Sequence, residues 1–285
     1  MTKTDASYDL TKAHEVSLTL LKEIDRICRK YKIRYALDSG TLLGAIRHKG
    51  FIPWDDDADV IFTRPQYEMF MKVAERELPK GMSLLRPEDL QGGKAFYDFT
   101  ARIIYDNSRM HREENSRQQF FEGKLNHLWV DLFVLDRVPD GKVSAAVTLF
   151  AQKVIYGLSM AHRDALDYSQ YNLIGKLQVA VLSTAGRLIP MPLLYKLQRL
   201  MSMKDVKKKT KYWYCSNYAP NWFYVREENA WCEKVIDVPF EDTQLMVPAG
   251  YHEILTMLYG DYMKLPPEEK RVPEHSTIEI EVENG

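Results

Sequence analysis

The sequence predicts an α/β (α+β) fold, a mixed sheet flanked by helices, with a mostly helical second part. Two patterns carry this prediction. Before residue 140, short apolar runs typical of strands alternate with amphipathic segments of helical period. Residues 143–203 show apolar residues at helical spacing instead. We therefore expect a core over residues 1–140, a helical and aromatic-rich part over 141–234, and a C-terminal segment over 235–285 that flanks the functional site and ends in a charged tail.

Composition narrows the function classes. The 285 residues include 39 Lys and Arg against 40 Asp and Glu, so the chain has no overall basic field for nucleic acid. Its three cysteines are widely spaced without a CxxC pattern, which argues against disulfides or a zinc site and suits a reducing cytoplasm. The first residues lack the apolar core of a signal peptide, and no run of 18 apolar residues predicts a membrane span. We expect a cytoplasmic protein.

The first elements follow from periodicity. Residues 11–31 carry one apolar stripe at helical spacing and predict a helix, with His14 outside the stripe and expected at the surface. Residues 33–37 alternate as a short strand does, and residues 42–48 predict a helix. Between them lies the turn Ser39-Gly40-Thr41. Gly40 permits a close turn, and Ser39 or Thr41 can cap the helix, whose free N–H groups form an anion site.

Four carboxylates fall within five positions, just before an apolar run at residues 60–62 that predicts a buried strand. Side chains alternate along a strand, so Asp57 and Asp59 should point the same way, joined by Asp55 if the extended segment starts early. Like charges this close repel one another, and a divalent cation such as Mg²⁺, with Mn²⁺ as an alternative, relieves the repulsion. The other interpretation is a solvated acidic turn. The four carboxylates are Asp55, Asp56, Asp57 and Asp59.

The next elements are a helix over residues 64–77, opened by Pro65, and a strand over 82–85. After a loop at 86–95, residues 99–105 predict a strand that carries Arg102 between apolar neighbours. A charge in that position is either a strand-edge residue or a phosphate contact.

A polar segment over residues 106–126 predicts a mobile loop, and the nearly continuous apolar run at 127–135 predicts a central strand. Asp131 is the single charge inside this strand, and a buried carboxylate needs a partner. It is either a structural residue bonded to an Arg or to backbone N–H groups, or a third metal ligand or general base; we favour the functional role. Asp136, at the predicted strand end, is expected in a turn.

Helices are predicted over residues 143–166, 172–188 and 193–201, broken by prolines. The lysine-rich run 204–211 that follows is either the solvated end of a helical subdomain or a contact with an anionic membrane surface.

Residues 212–232 are rich in aromatic side chains, which most often pack in a core but also form cages for quaternary ammonium groups. A strand over 235–240 and a helix over 248–259, ended by Gly260, complete the prediction. The candidate residues for such a cage are Trp213, Trp222, Tyr224 and Trp231, and Glu241 and Asp242 follow close by in the sequence.

A Gly-Thr turn followed by a strand with the pattern Asp-apolar-Asp-apolar resembles the nucleotidyltransferase fold of the DNA polymerase β type. The longer string LDSGTLLGAIRHKGFIPWDDDADV, at residues 37–60, resembles the LicD family. That family includes bacterial phosphocholine transferases and is related to fukutin-type ribitol-phosphate transferases. The resemblance continues in VDLF at 130–133 and in FEDTQLMVPAGYHEILTMLYGDYMKLPP at 240–267, and it is loose over 143–235.

The resemblance implies a Mg²⁺-dependent transfer of a phosphate-containing group from a CDP-activated donor to a hydroxyl of a lipid-linked or cell-surface glycan. The aromatic-rich stretch favours CDP-choline as the donor over polyol-phosphate donors. In this scheme Asp57, Asp59 and Asp131 are catalytic, and the same three with Asp55 hold the metal. The donor phosphates are expected to contact Ser39, Gly40, Thr41, Arg47, Lys49 and Arg102.

Two rival hypotheses remain open at this stage. One is a true nucleotidyltransferase, which attacks a different phosphorus and leaves the nucleotide on its product. The other is a non-enzymatic relative that only binds glycan or nucleotide, which loss of a motif carboxylate would favour. Asp57, Asp59 and Asp131 are all present. Without a signal or a spanning segment, the expected location is the cytoplasm, with peripheral contact at the inner face of the membrane.

Overall fold

The computed structural model describes residues 10–111, 119–169, 171–223, 225–273 and 279–282. Its first helix, α1 (Thr11–Tyr31), confirms the predicted stripe, because the apolar side chains at that spacing are buried. The helix ends at Lys32, which takes a left-handed conformation with φ 54°.

The sheet elements and the helices alternate through the first half of the chain, and the mixed α/β fold class is confirmed. The strands are β1 (Ala36–Leu37), β2 (Asp59–Thr63), β3 (Met82–Leu85), β4 (Ala101–Tyr105), β5 (Ser108–His111), β6 (Leu128–Val138), β7 (Tyr212–Cys215), β8 (Glu227–Glu228), β9 (Val235–Phe240), β10 (Thr243–Pro248) and β11 (Glu279–Val282). The helices after α1 are α2 (Ser39–Arg47), α3 (Arg64–Glu77), α4 (Lys142–Ser159), α5 (Leu173–Gly186), α6 (Met191–Met203), α7 (Asn229–Cys232) and α8 (Tyr251–Tyr259).

The main sheet runs in the order β1-β2-β6-β4-β3, and β7 extends the far half of β6 before pairing with β8. β2 and β6 are parallel neighbours, whereas β1 and β4 run antiparallel to them. β6 is the central strand that the sequence predicts, and it continues to Val138, three residues beyond the predicted end.

The two faces of the sheet differ in chemistry. Val60 and Phe62 of β2, with Leu132 and Val134 of β6, lie in the principal core together with α1 and α3. The alternate positions face the other way, because successive side chains of a strand point to opposite faces. That second face carries a small apolar cluster and the charged residues of the candidate site.

Asp136 corrects a prediction. It lies inside β6 rather than in a turn, and its carboxylate is fully buried. Arg64 at the start of α3 donates to both of its oxygens, with Nε to Oδ1 at 3.0 Å and Nη2 to Oδ2 at 2.5 Å. A buried carboxylate needs such a partner, so this pair joins α3 to the sheet.

The predicted mobile loop over 106–126 is wrong for residues 108–111. They form β5, which pairs antiparallel with β11, so part of the C-terminal tail is a strand as well. These strands are far apart in sequence, and neither has a strong alternating pattern. Residues 112–118 of the predicted loop lie outside the described residues.

Helices α4, α5 and α6 confirm the predicted helical part, and α4 packs against both of the others. Their inner sides surround Phe96 and Phe99, which precede β4. In the part of the chain that the structure describes, α4 with its extension to His162 is long and apolar enough to cross a membrane, although the sequence predicted no such segment. Half of its apolar window is buried in protein, as in a core helix.

The aromatic-rich segment and the C-terminal hairpin both join the principal architecture. β7 and β8 belong to the main sheet. Phe240, Leu245 and Val247 of the β9–β10 hairpin, with Leu255 of α8, lie in the same core as α1. The division of the chain at residues 140 and 234 stays a prediction, and the candidate functional site contains residues from all three parts.

Candidate functional site

Charged side chains form a row across the second face of the sheet. Asp59 of β2 stands opposite Asp131 of β6, and Arg102 of β4 stands opposite Asp131 on its other side. The N–H of Asp38, at the end of β1, donates to the carbonyl of Asp59 at 3.1 Å. Four strands thus place Asp38, Asp59, Asp131 and Arg102 side by side.

Burial and mutual repulsion shape the electrostatics of this row. Burial is the main cause that raises the pKa of Asp59 well above its usual value, and the charges of Asp57, Asp131, Asp38 and Asp55 raise it further. Burial likewise raises the pKa of Asp38 to about 6. Five carboxylates therefore lie within electrostatic reach of one another, although they come from three separate places in the sequence.

Asp131 is held on both of its oxygens. Its Oδ1 lies 2.9 Å from Nε of Arg102. The two atoms form an ion pair but not a hydrogen bond. Its Oδ2 accepts from Nε1 of Trp129 at 3.0 Å. Burial raises its pKa to about 6, although the charge of Arg102 acts to lower it. Asp131 has the Arg partner of the structural interpretation, and it also belongs to the carboxylate cluster.

Arg102 is 4% exposed and engaged on every side. It pairs with Asp98 at 2.5 Å as well as with Asp131, and its guanidinium lies 5.2 Å from the ring of Tyr97 and 5.1 Å from the ring of Trp129. Such a clamped guanidinium fixes the Asp131 carboxylate.

The turn before α2 is built differently from the prediction. Asp38 is the N-cap residue, and neither it nor Ser39 nor Thr41 makes a side-chain cap. Ser39 adopts a positive φ of 49°, and its hydroxyl donates to Asp38. The buried Oγ1 of Thr41 accepts from the N–H of Asp59 at 2.9 Å. Thr41 therefore anchors the start of β2, which positions Asp59.

Gly40 allows a close approach between the turn and the acidic cluster. A Cβ built on Gly40 would lie 2.4 Å from Oδ2 of Asp55, so only glycine leaves room for the carboxylate in its present position. His14, expected at the surface, holds the same loop from the other side: its ring stacks on Phe51 at 4.6 Å, and Nε2 lies 2.7 Å from the Asp55 carbonyl oxygen. The apolar stripe of α1 gave no signal for this contact.

The two basic residues predicted to contact the donor phosphates, Arg47 and Lys49, lie at and just after the C-terminal end of α2, away from the turn. Arg47 bonds the carbonyl of Tyr262 at 3.0 Å and lines a cavity of 580 Å³ together with Gly40 and Asp55. Lys49 follows the helix, is exposed, and turns back to the carbonyl of Ile46 at 3.2 Å. The structure thus brings Arg47 to a cavity beside the cluster, and it does not bring Lys49 there.

The chemistry of the donors fits a hard divalent cation. The cluster offers carboxylate oxygens, which Mg²⁺ and Mn²⁺ take as ligands, and its mutual repulsion is what a cation relieves. Among the described residues, no three His, Cys, Asp or Glu side chains stand close enough to hold a metal ion as placed. Binding therefore requires the carboxylates to draw together.

The aromatic residues of the predicted cage separate in the structure. Trp213 is buried, and the guanidinium of Arg137 lies 4.0 Å from its ring centroid, so this face is already covered. Trp231 packs on the core, and Tyr224 lies outside the described residues. Glu241 accepts from the Phe51 N–H, and Asp242 pairs with Lys22.

Trp222 remains available, and it has a neighbour that sequence reasoning missed. The Tyr218 ring lies 4.8 Å from the ring of Phe133 and 5.8 Å from the ring of Trp222, tilted in both contacts, and both Tyr218 and Trp222 are more than a third exposed. Burial and then the charges of Asp59, Asp57 and Asp131 raise the pKa of Tyr218, so its ring lies by the cluster.

Asp38, Asp98 and Tyr259 were missed as well. Burial and then the charges of Asp38, Asp55, Asp59 and Asp57 raise the pKa of Tyr259, which places α8 at the site. Asp38 directly precedes the Ser39 turn, and its position at a strand end was a usable signal. For Asp98 and Tyr259 no pattern in the sequence distinguishes them from surface residues.

The chain is similar in sequence to known proteins. Residues 32–154 match the family model described as LicD/FKTN/FKRP, nucleotidyltransferase domain. The chain is 34% identical over 276 residues to the lipopolysaccharide cholinephosphotransferase LicD of Haemophilus influenzae. The matched region covers 91% of this chain and 93% of that protein. Shorter matches link it to uncharacterised proteins of Rickettsia typhi, 44% identical over 19% of this chain and 18% of that protein, and Rickettsia prowazekii, 51% identical over 14% of this chain and 15% of that protein. With this identity along nearly its whole length, the chain belongs to the LicD family and is a phosphotransferase enzyme of the LicD type.

Proposed function

We propose that the protein transfers phosphocholine from CDP-choline to a hydroxyl of a cell-surface glycan precursor of the lipopolysaccharide or teichoic acid type. The observation that carries the proposal is the row in which Asp59 and Asp131 stand opposite each other, with Asp57 within electrostatic reach of both. The full-length similarity to a protein named as a lipopolysaccharide cholinephosphotransferase supports the choice of group. The enzyme is proposed to work in the cytoplasm, where nucleotide-activated donors are made.

Asp57 and Asp59 would hold Mg²⁺, with Asp55 contributing directly or through water. When bound, the cation neutralises charge on the donor phosphates and makes the phosphorus more electrophilic. Mn²⁺ has the same preference for oxygen and is the alternative.

The chain's own residues position the reaction. In the proposed step the acceptor oxygen forms a bond to the phosphorus that carries choline, the bond from that phosphorus to the bridging oxygen breaks, and CMP leaves. Asp131 would either ligate the cation or accept the acceptor's proton. Arg102 and Thr41 are positioning residues, since one holds the Asp131 carboxylate and the other holds the start of β2.

The cavity beside Gly40 and Asp55 suits the nucleotide part of the donor. Its volume of 580 Å³ is within the range of small-ligand sites, and basic side chains of Arg47, Lys264 and Lys270 line it. The positive charges of these side chains would attract the negatively charged diphosphate. Lys49 does not line the cavity.

Tyr218 and Trp222 supply the surface for the choline group. Choline carries a permanent cation without a hydrogen-bond donor on nitrogen, so aromatic faces and nearby carboxylates are what bind it. Tyr218 packs on Phe133, two residues after Asp131, and lies by the carboxylate cluster. Trp222 packs on Tyr218. A polyol-phosphate donor would need hydrogen-bonding side chains in that place.

The test offers CDP-choline, CDP-ribitol, CDP-glycerol and nucleoside triphosphates together with a glycan acceptor extract and Mg²⁺. Mass spectrometry of the product is expected to show added phosphocholine and released CMP. A preference of more than about tenfold, or ~1.4 kcal/mol, for a polyol donor overturns the choice of choline. A nucleotide retained on the product overturns the proposed transfer and leaves a true nucleotidyltransferase.

A further inference from the structure

Helices α4, α5 and α6 expose many large apolar side chains. Leu173 is 84% exposed and Leu188 is 87% exposed, and their neighbours at helical spacing are exposed as well. An exposed apolar surface of this extent is unusual on a soluble monomer and marks a contact with a partner or a membrane. The residues are Val143, Val147 and Phe150 of α4, Leu173, Ile174, Leu177 and Val181 of α5, Leu188, and Leu193, Leu197 and Leu200 of α6.

The exposed residues are the outer stripes of a packed helical layer. In α5 the residues Leu173, Leu177 and Val181 are four apart, so they lie on one side of the helix. The packing side is different, since Gly186 lets α5 approach the Leu158 carbonyl so closely that a Cβ there would be 2.0 Å from it. The stripes are thus left over after α4 and α5 have packed together.

The charges on these helices have one sign. The sequence has no Asp or Glu over residues 142–163 or over residues 168–204, whereas the whole chain has a net charge of −1. An apolar stripe bordered by cations is the pattern of a helix that lies in the interface of an anionic membrane. The basic residues along the three helices are Lys142, Lys153, Lys176, Arg187, Lys196 and Arg199, the last of which pairs with Glu68.

The lysine-rich run 204–211 contributes less than its composition indicates. Lys208 lies 2.6 Å from the buried carboxylate of Asp205, and Lys211 lies 3.7 Å from Glu228. Part of its charge is therefore used inside the protein. The cationic surface that matters lies on the helices instead.

Other occupants fit less well. A second copy of this face would bring like charges together, which is unfavourable in an apolar contact. A spanning arrangement would have to remove α4 from its neighbours, since half of its apolar window is buried, and α5 and α6 meet at a bend of 115°. A helical layer that lies flat at the surface needs neither change.

We propose that the outer face of α4, α5 and α6 docks the enzyme onto an anionic lipid bilayer, with the α5 stripe and Leu188 in the acyl boundary and the basic residues at the headgroups. The docking itself is independent of the donor, and only its purpose, access to a lipid-linked acceptor, rests on the proposed function. The layer is also close to the site. Arg163, just after α4, donates to the carbonyl of Tyr97 at 2.8 Å, and the next residue, Asp98, pairs with Arg102.

The test is flotation of the full chain with vesicles of phosphatidylglycerol and phosphatidylcholine, and with vesicles of phosphatidylcholine alone. The wild type is expected to float with the anionic vesicles. A triple variant, Leu173→Gln, Leu177→Gln and Val181→Gln, is expected to bind at least tenfold more weakly. The matched control places Met69→Gln, Ile236→Gln and Met257→Gln at exposed apolar positions outside the three helices and is expected to float as the wild type does.

A second readout follows the environment of one side chain in a variant that still binds the vesicles. Phe150→Trp is expected to shift its fluorescence to shorter wavelength with anionic vesicles and to be quenched by brominated lipid. The proposal is overturned if the wild type does not float at low salt, if the triple variant floats like the control, or if the wild type is a dimer that the triple substitution dissociates. CMP release from CDP-choline, measured with a soluble glycan acceptor and without vesicles, is expected to be equal in the wild type and the triple variant. Failure of that reaction in both would overturn the proposed function and leave the flotation result standing.

Discussion

Asp59 and Asp131 lie directly opposite each other on the parallel neighbours β2 and β6. Two residues that are 72 positions apart in the chain are thus direct neighbours on adjacent strands. The arrangement is unfavourable by itself, because burial and the surrounding carboxylates raise the pKa of Asp59. Carboxyl groups whose pKa values are perturbed by burial and by like charges cluster at functional sites, which makes this row the candidate site.

The contact between Gly40 and Asp55 predicts a loss of activity without a loss of fold. In Gly40→Ala the new methyl group would lie 2.4 Å from Asp55 Oδ2, so the carboxylate must move away, and alanine is well accepted in a helix. We expect transfer to fall at least tenfold, about 1.4 kcal/mol, while the free energy of unfolding changes by less than about 1 kcal/mol.

A double-mutant cycle supplies the control for this prediction. In an Asp55→Ala background the clash no longer exists, so adding Gly40→Ala should change transfer little further. An equal additional loss in that background would show that Gly40 acts in some way other than by making room for Asp55.

The buried pair of Arg64 and Asp136 predicts a large effect on stability. In Asp136→Asn the guanidinium of Arg64 stays buried, with 5% of its side chain exposed, and loses its buried charged partner, while its longer ion pair with Glu68, at 3.4 Å, remains. We expect the free energy of unfolding to fall by about 3–5 kcal/mol in denaturant titration. The matched control is Asp237→Asn, which breaks the exposed pair with Arg29 and should change it by less than about 1 kcal/mol. Similar effects of the two substitutions would contradict the structural role of Asp136.

Glu227 predicts how stability depends on pH. Burial, and then the charge of Asp38, raises the pKa of this carboxyl from 4.5 to about 7. Between those values the folded chain keeps a proton that the unfolded chain has released, so stability falls as pH rises and is constant above about 7. Glu227→Gln should remove the part of this fall that Glu227 contributes, on the order of 3 kcal/mol, and leave the part that comes from Asp38 and Asp131, whose pKa values are also raised. Thermal unfolding from pH 4.5 to 8 measures it, and an unchanged slope in the variant would exclude Glu227 as the cause.

The exposed pair of Tyr218 and Trp222 predicts donor selectivity. Trp222→Ala should raise the KM for CDP-choline by about two- to thirtyfold, since an aromatic face contributes about 0.5–2 kcal/mol to a quaternary ammonium. The KM for CDP-glycerol, used as a donor without a cation, should change little. Trp231→Ala serves as the comparison, because that ring packs on the core. An equal change for both donors would remove the cation-binding role.

The sequence predicted those elements whose own pattern decides them. α1, α3 and β3 have the predicted bounds, because each carries a clear apolar period or a proline and glycine at its ends. β5 and β11 were missed because their pairing joins residues 108–111 to 279–282, and no local pattern records such a partner. Asp136 was placed in a turn because its partner, Arg64, lies 72 residues earlier.

For the candidate site, the sequence pointed to three carboxylates, whose roles stay a prediction, and it missed most of the residues that hold or surround them. Asp57, Asp59 and Asp131 follow from the Asp cluster and from a lone charge in an apolar strand. The ion pairs of Arg102 and the bond from Asp59 to Thr41 could not be predicted, since they depend on which strands become neighbours. The exposed pair of Tyr218 and Trp222 could not be predicted for the same reason. The number of aromatic residues indicated a segment that could bind choline, but it did not indicate that Arg137 would cover Trp213.

We propose that the carboxylate row is a metal-dependent centre for phosphocholine transfer. The most direct measurement is the rate of CMP release from CDP-choline with a glycan acceptor, in Mg²⁺ and after chelation, for the wild type, Asp57→Asn and Asp59→Asn. The wild type should lose activity on chelation and regain it with Mg²⁺. Each variant should be at least about 10³-fold slower, a difference of ~4 kcal/mol, with an unfolding temperature that is unchanged or higher, because a repelling charge has been removed. A near-wild-type rate in either variant at saturating Mg²⁺ would contradict the account.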